Sequence, residues 1–242
     1  MNLQFKNTNA KFYSFVAVLV LCIAVLSIGT QYNAFGLSSD NQTQKKTGTL
    51  NVNTVKSNIK TASEAALALK DILKKKGIAS GANINIVVSK SSHTLSLYSN
   101  GVFLKSYHVE LGEGGPPNKS VVGDKKTPEG DFYITEKTVY SPADYYLGTR
   151  WMELSYPNLS AAQRGLNSGI ISKETYNRIV KAINNGETPP QDTALGGYIG
   201  IHGGSVPSFG KDWTWGCVGL ANKDVEDFYG FVRSGTKVTI NM

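Results

Sequence analysis

Cysteine is nearly absent: the chain of 242 residues has two, Cys22 and Cys217. Cys22 lies within an apolar run near the N-terminus, so any exported remainder keeps only Cys217 and closes no intramolecular disulfide. Histidine is scarce too, with three residues, His93, His108 and His202. One histidine and one cysteine in a shared stretch do not make a metal ligand set, so neither a metal nor another cofactor is implied. The loop at residues 112–126 (GEGGPPNKSVVGDKK) lacks the Gly-Lys-Ser/Thr spacing of a phosphate-binding P-loop and opens no helix. The net charge is +7, which suits anionic surroundings, but the lysines are scattered and no nucleic-acid motif accompanies them.

Among what is present, residues 199–222 (IGIHGGSVPSFGKDWTWGCVGLAN) stand out. His202 is followed by two glycines, and Cys217 lies fifteen positions later, directly after Gly216. A thiol and an imidazole on two short strands form the minimal kit for nucleophilic catalysis through sulfur. An adjacent imidazolium favours the thiolate, and the ring can return the proton to a leaving amine. Gly216 leaves the backbone open where an acyl carbonyl approaches, and the N–H groups of Gly216 and Cys217 are candidate oxyanion donors. Taken alone, the pair also fits a buried cysteine beside a core histidine, the commoner arrangement for an arbitrary pair.

The targeting signals are equally local. Residues 12–29 form an uncharged apolar run, preceded by Lys6 and Lys11 and followed by no lysine until Lys45. Positive charge before such a run places residues 1–11 in the cytoplasm and exports the rest. The length lies between that of a signal peptide and that of a membrane anchor, leaving a protein either anchored at the membrane or secreted to the wall or periplasm. Residues 30–60 are polar and read as a linker.

From residue 61 onward the patterns alternate between helix and strand. Thr61-x-x-Glu64 fits a capping box for a helix over residues 61–76, in a packing segment spanning 61–80. Residues 84–88, 94–98 and 103–109 read as strands, the last two joined by an Asn100-Gly101 hairpin. Residues 160–193 read as a helical hairpin capped by Ser160 and Ser172, either a cleft wall or a passive surface insertion. Asn222 reads as the cap of a helix through Val232, and residues 236–240 as a final strand. Many short strands with few helices predict a mainly β, α+β sandwich over residues 84–242, with a helical insertion before the His202 strand. His93 and His108 fall at strand edges and read as structural.

The pair His202-Gly203 with Thr214-Trp215-Gly216-Cys217 resembles the signature of the L,D-transpeptidase catalytic domain (the YkuD-type family). Two further stretches are similar to that family: Lys126-Thr127-Pro128-Glu129-Gly130-Asp131-Phe132, and Leu154-Ser155-Tyr156-Pro157-Asn158, the latter like its YafK-like branch. The chain departs where many relatives carry an arginine two residues after the cysteine, here Gly219, and where some carry a second histidine, here Trp215.

The resemblance implies an L,D-transpeptidase-like β-sandwich acting on peptidoglycan stem peptides and open to carbapenem-type inhibitors. Cys217, His202 and Gly216 would be its catalytic set. Gly203, Thr214, Trp215, Tyr156 and Asn222 would contact substrate, with Tyr156 alternatively packed in the core. Trp151, Trp213 and Trp215 are either walls for a glycopeptide or packing beneath the loop. The activities implied are 3→3 cross-linking of stems or, alternatively, L,D-carboxypeptidase or endopeptidase cleavage. A non-catalytic wall-binding module is the reading outside the enzyme class.

Overall fold

A computed structural model describes residues 67–242. The apolar run at residues 12–29, the linker and the Thr61/Glu64 box lie outside the described residues. Among the described residues, no helix is long and apolar enough to cross a membrane.

The first helix, α1 (Leu69–Lys75), buries Leu69, Ile72 and Leu73. It begins at Leu69, because Ala68 is extended (φ −65°, ψ 148°), and Ala68 makes no side-chain cap. The Asp227 carboxylate supplies the cap from a distance, accepting from the Leu69 N–H at 3.0 Å. The same carboxylate takes Lys105 and the Tyr107 hydroxyl, which fastens α1 to the body of the fold.

Three strands follow: β1 (Ile84–Ser89), β2 (Thr94–Ser99) and β3 (Val102–His108). Asn100 and Gly101 turn the β2–β3 hairpin with φ of 48° and 78°, the left-handed pair that its tight turn requires. The 15-residue β4 (Gly130–Asp144) is the hinge of the architecture. Its first residues, Gly130 to Tyr133, pair with the final strand β8 (Lys237–Asn241), and the remainder pairs with β5 (Gly148–Leu154).

The two helices of the insertion, α2 (Leu159–Asn167) and α3 (Lys173–Asn184), come next. Ser172 caps α3 as expected. Asn158, not Ser160, caps α2, because its carboxamide sits in the N-cap position and takes the Ala161 N–H at 2.9 Å. Ala162, Ile171, Ile179 and Leu195 form a small core of their own under this hairpin.

After the hairpin come β6 (Gly200–His202), β7 (Val218–Gly219) and the helix α4 (Asn222–Tyr229). The strand order is β3-β2-β1-β8-β4-β5-β6-β7. Its two outer edges meet where Glu110 and Gly219 exchange both backbone hydrogen bonds at 2.8 Å. The ladder thereby wraps a single apolar core that includes Ile86, Leu97, Ile134, Met152, Ile201, Val218 and Ile240. The fold is thus α+β and mainly β.

Candidate active site

The site is built on one face of the β5-β6-β7 ladder. Trp151 pairs with His202 and Glu153 with Gly200, while His202 pairs with Gly219 in the neighbouring strand. Side chains alternate across a strand, so Met152, Ile201 and Val218 enter the core while Trp151, Glu153, His202 and Cys217 emerge together on the opposite face. Glycine at 200 and 219 removes the two side chains that would stand between them.

Cys217 lines a cavity of about 650 Å³, together with Trp151, Glu153, Lys119, Tyr146, Trp215 and other residues. The sulfur accepts the Gly200 N–H at 3.4 Å and directs its own proton to the Tyr198 carbonyl at 3.7 Å. Burial pushes the thiol up to about 11, against the Gly200 N–H and the Lys119 charge, which pull it down.

His202 is fully buried. It packs against Tyr146, Trp151 and Trp213, with ring centroids 5.7, 5.9 and 5.6 Å away. Its Nδ1 lies 2.7 Å from the Gly203 carbonyl. A carbonyl only accepts, so Nδ1 carries the proton and Nε2 presents a lone pair. That Nε2 is buried with no hydrogen-bond partner. Burial lowers the imidazole to about 4, although the Gly203 carbonyl and the Asp144 carboxylate favour its protonation. The resting pair is therefore a neutral thiol and a neutral imidazole. This differs from the expected thiolate–imidazolium pair, because burial penalises both charges by more than Lys119 and Asp144 offset.

The loop between the two residues is held from outside. The Asp212 carboxylate accepts from the Leu111 N–H at 3.0 Å and meets His93 Nε2 at 2.9 Å. The Thr214 N–H donates to the Leu111 carbonyl, and the Glu113 N–H to the Thr214 carbonyl. His93 therefore has the structural place expected of it, as does His108, paired with Glu110. Gly216 sits at φ +122°, and a Cβ there would come within 2.8 Å of the Lys126 carbonyl oxygen. Only glycine meets both demands.

Several expected substrate contacts prove to be scaffold. Tyr156 is fully buried and its hydroxyl donates to the Leu195 carbonyl at 3.0 Å, so it packs away from the cavity. Thr214 is also fully buried, and its hydroxyl donates to the Cys217 carbonyl at 2.7 Å and accepts the Gly216 N–H at 3.3 Å. That second bond occupies one of the two expected oxyanion donors. Gly203 orients the imidazole through its carbonyl.

Asn222 is the first residue of α4 and not its cap, which is Ala221, and the helix ends at Tyr229, short of Val232. Its Oδ1 accepts the N–H groups of Thr149 and Gly204, at 3.1 and 2.9 Å. It thus joins β5 to the turn that follows His202. Replacing Asn222 by Ala is expected to strand both donors and cost about 2 to 6 kcal/mol, at roughly 1–3 kcal/mol for each unmet group. A thermal melt of the purified protein reads this, and an unchanged melting temperature would contradict it.

Among the expected contacts Trp215 alone lines the cavity, and the residue is 67% exposed. The tryptophans divide: Trp151 and Trp215 line the cavity, while Trp213 is buried edge-on against His202. Trp213 also explains Gly219. A Cβ at 219 would lie 3.1 Å from both Trp213 Cζ2 and Thr214 Cγ2, so the indole occupies the space that a long side chain would need.

Two residues at the cavity escaped the sequence reading. Tyr146 stacks on His202, and its hydroxyl accepts the Trp215 N–H at 3.0 Å. Glu153 is 7% exposed and its Oε1 has no partner. The only local signal was a charged residue between two core residues, Met152 and Leu154.

Among the described residues, no group of three or more His, Cys, Asp or Glu is placed to hold a metal.

The L,D-transpeptidase catalytic domain family (YkuD) matches residues 83–240. A curated relative, "Putative L,D-transpeptidase YkuD" of Bacillus subtilis, is 28% identical over 158 residues, covering 65% of each chain. The chain thus spans 65% of the length of that relative. Among solved structures, the helical cell shape determining protein Pgp2 from Campylobacter jejuni is 21% identical with a TM-score of 0.45, covering 72% of this chain and 55% of that one. Bd1075 from Bdellovibrio bacteriovorus is 21% identical with a TM-score of 0.44, covering 66% and 48%. With the family match extending over most of the chain and both residues of its His and Gly-Cys signature on one face of the sheet, the protein belongs to the L,D-transpeptidase catalytic domain family (YkuD).

Proposed function

We propose that this protein is a peptidoglycan L,D-transpeptidase that forms 3→3 stem cross-links through a thioester on Cys217. The observation that carries this reading is the emergence of the Cys217 thiol and the His202 imidazole on one sheet face, beside a cavity that reaches the sulfur. The unpartnered Nε2 takes the thiol proton as Sγ attacks the carbonyl of the diamino acid's L-centre. The C–N bond to D-Ala breaks, and the Nε2 proton leaves with the D-Ala amine. The Cys217 N–H is the oxyanion donor in this scheme, since Thr214 holds that of Gly216.

A side-chain amine of a second stem then attacks the thioester, the C–S bond breaks, and the sulfur recovers a proton through His202. The gap between a thiol near 11 and an imidazole near 4 supports concerted transfer over a standing ion pair. The sequence signals around residues 12–29 support action outside the cytoplasm, anchored at the membrane or released from it.

Muropeptide profiling with the purified protein tests the reading. Dimers joined through two diamino acids are expected, as is a covalent carbapenem adduct in the intact mass. Shortened monomers alone would identify an L,D-carboxypeptidase, and unchanged muropeptides with no adduct would leave a wall-binding module.

A further inference from the structure

The cavity beside Cys217 has an unbalanced charge. Two lysines line it, but each is matched: Lys119 donates to the Asp124 carboxylate at 2.7 Å, and Lys125 pairs with Glu113. Burial would raise the Asp124 carboxyl, yet Lys119 and the N–H groups of Ser120, Lys126 and Val121 hold it at about 2, so it stays an anion for Lys119. The carboxylates of the lining are not matched in this way. Asp192 stands at the exposed rim. Glu153 is more than nine-tenths buried, lines the cavity, and makes no salt bridge or side-chain hydrogen bond among the described residues.

The position of Glu153 is as telling as its isolation. Glu153 pairs with Gly200 across the ladder, and the Gly200 N–H donates to the Cys217 sulfur from the other side. The Trp151 indole covers the space at Gly200, where a Cβ would lie 2.5 Å from its Cη2, and the carboxylate and the sulfur line one cavity beside that ring. His202 stands on the same face, one diagonal step from Cys217 along the β6–β7 ladder. The thiol is therefore flanked by an imidazole on one side and an acid on the other.

A buried carboxylate without a partner is costly to the fold, and a cation offsets that cost. The transfer reaction brings one: its acyl acceptor is a primary amine, which arrives in water as an ammonium ion. We propose that Glu153 is the acceptor-amine site, binding the incoming ammonium and removing one of its protons beside the thioester. This rests on the transpeptidase reading above and names the group that makes transfer, and not hydrolysis, the outcome.

The step balances. The ammonium gives one proton to the Glu153 carboxylate, and its freed lone pair forms the C–N bond to the thioester carbon. The C–S bond breaks, and the amine's second proton passes through His202 Nε2 to the departing sulfur. The proton on Glu153 is lost to solvent. Burial and the nearby Glu136 both raise the proton affinity of Glu153, which makes it a stronger base than an exposed carboxylate.

The test uses the full chain, a tetrapeptide stem as donor and a diamino-acid stem as acceptor, with products read by mass spectrometry. In Glu153→Gln the ratio of amine transfer to hydrolysis is expected to fall at least tenfold. Acylation of Cys217, followed by the D-Ala released in the first turnover, serves as the internal reference and falls far less. Glu153→Asp, which keeps the charge but shortens its reach, is expected to restore part of the ratio. A thermal melt shows that both variants are folded. An unchanged ratio in Glu153→Gln, or equal losses of acylation and transfer in both variants, overturns the assignment. A wild-type protein that forms no acyl adduct, or hydrolyses without transfer, overturns the parent reading and this one with it.

Discussion

Replacing Cys217 by alanine is expected to abolish stem transfer and hydrolysis together, a loss on the order of 10⁴-fold or more, and to remove any covalent carbapenem adduct. Losing the nucleophile of an acyl-transfer site removes the whole covalent pathway, and partial compensation by the remaining groups is small. The fold should tolerate the change, because among the described residues the sulfur's hydrogen bonds are long ones to Gly200 and Tyr198. A variant that melts near wild type yet makes no product is the expected result. A variant that still makes either product removes sulfur from the mechanism. The wild-type thiol has a further signature. Because burial raises it to about 11, its alkylation rate by iodoacetamide should climb with pH towards a midpoint near that value. Full reactivity at pH 7 would show a standing thiolate instead.

Replacing His202 by glutamine is expected to slow acylation by about 10³-fold, within the range for loss of a general acid–base. The second consequence concerns stability. The folded imidazole takes a proton only near pH 4, and its ordinary value is 6.5. Between those values the unfolded chain binds more protons, so stability is lost as pH falls through the window and is intact above it. The shift corresponds to about 3 kcal/mol. Urea unfolding at pH 7 and at pH 4 should show a drop of that order in wild type and a smaller one in His202→Gln. Equal drops in both proteins would mean that other groups carry the acid sensitivity.

Much of the site was readable from residue order because the relevant signals are local. The Asn100-Gly101 turn, the Ser172 cap, and the glycines flanking His202 and Cys217 each state a backbone requirement that a few neighbours satisfy. Other expectations failed where a distant group supplied what a local one was expected to. Asp227, 158 residues away, caps α1 at Leu69. Asn158 displaces Ser160 as the cap of α2. Asn222 leaves its own helix uncapped by a side chain because its oxygen is engaged with Thr149 and Gly204.

The same division runs through the chemistry. A thiol, an imidazole and their glycine neighbours are properties of residue type and spacing; taken alone they also fit a buried cysteine beside a core histidine, and it was the resemblance to the L,D-transpeptidase family that implied acyl transfer. Which face each side chain took, and what lay beside it there, depended on strand register. Register brought Glu153 to the cavity opposite Gly200, while the segments flanking β5 packed Tyr156 into the core and laid Tyr146 against His202. Burial then set the protonation of the pair, leaving both partners neutral. Proton affinity follows the surroundings of a group, and those surroundings come from strands far apart in the chain, which exist as neighbours only once the sheet has formed.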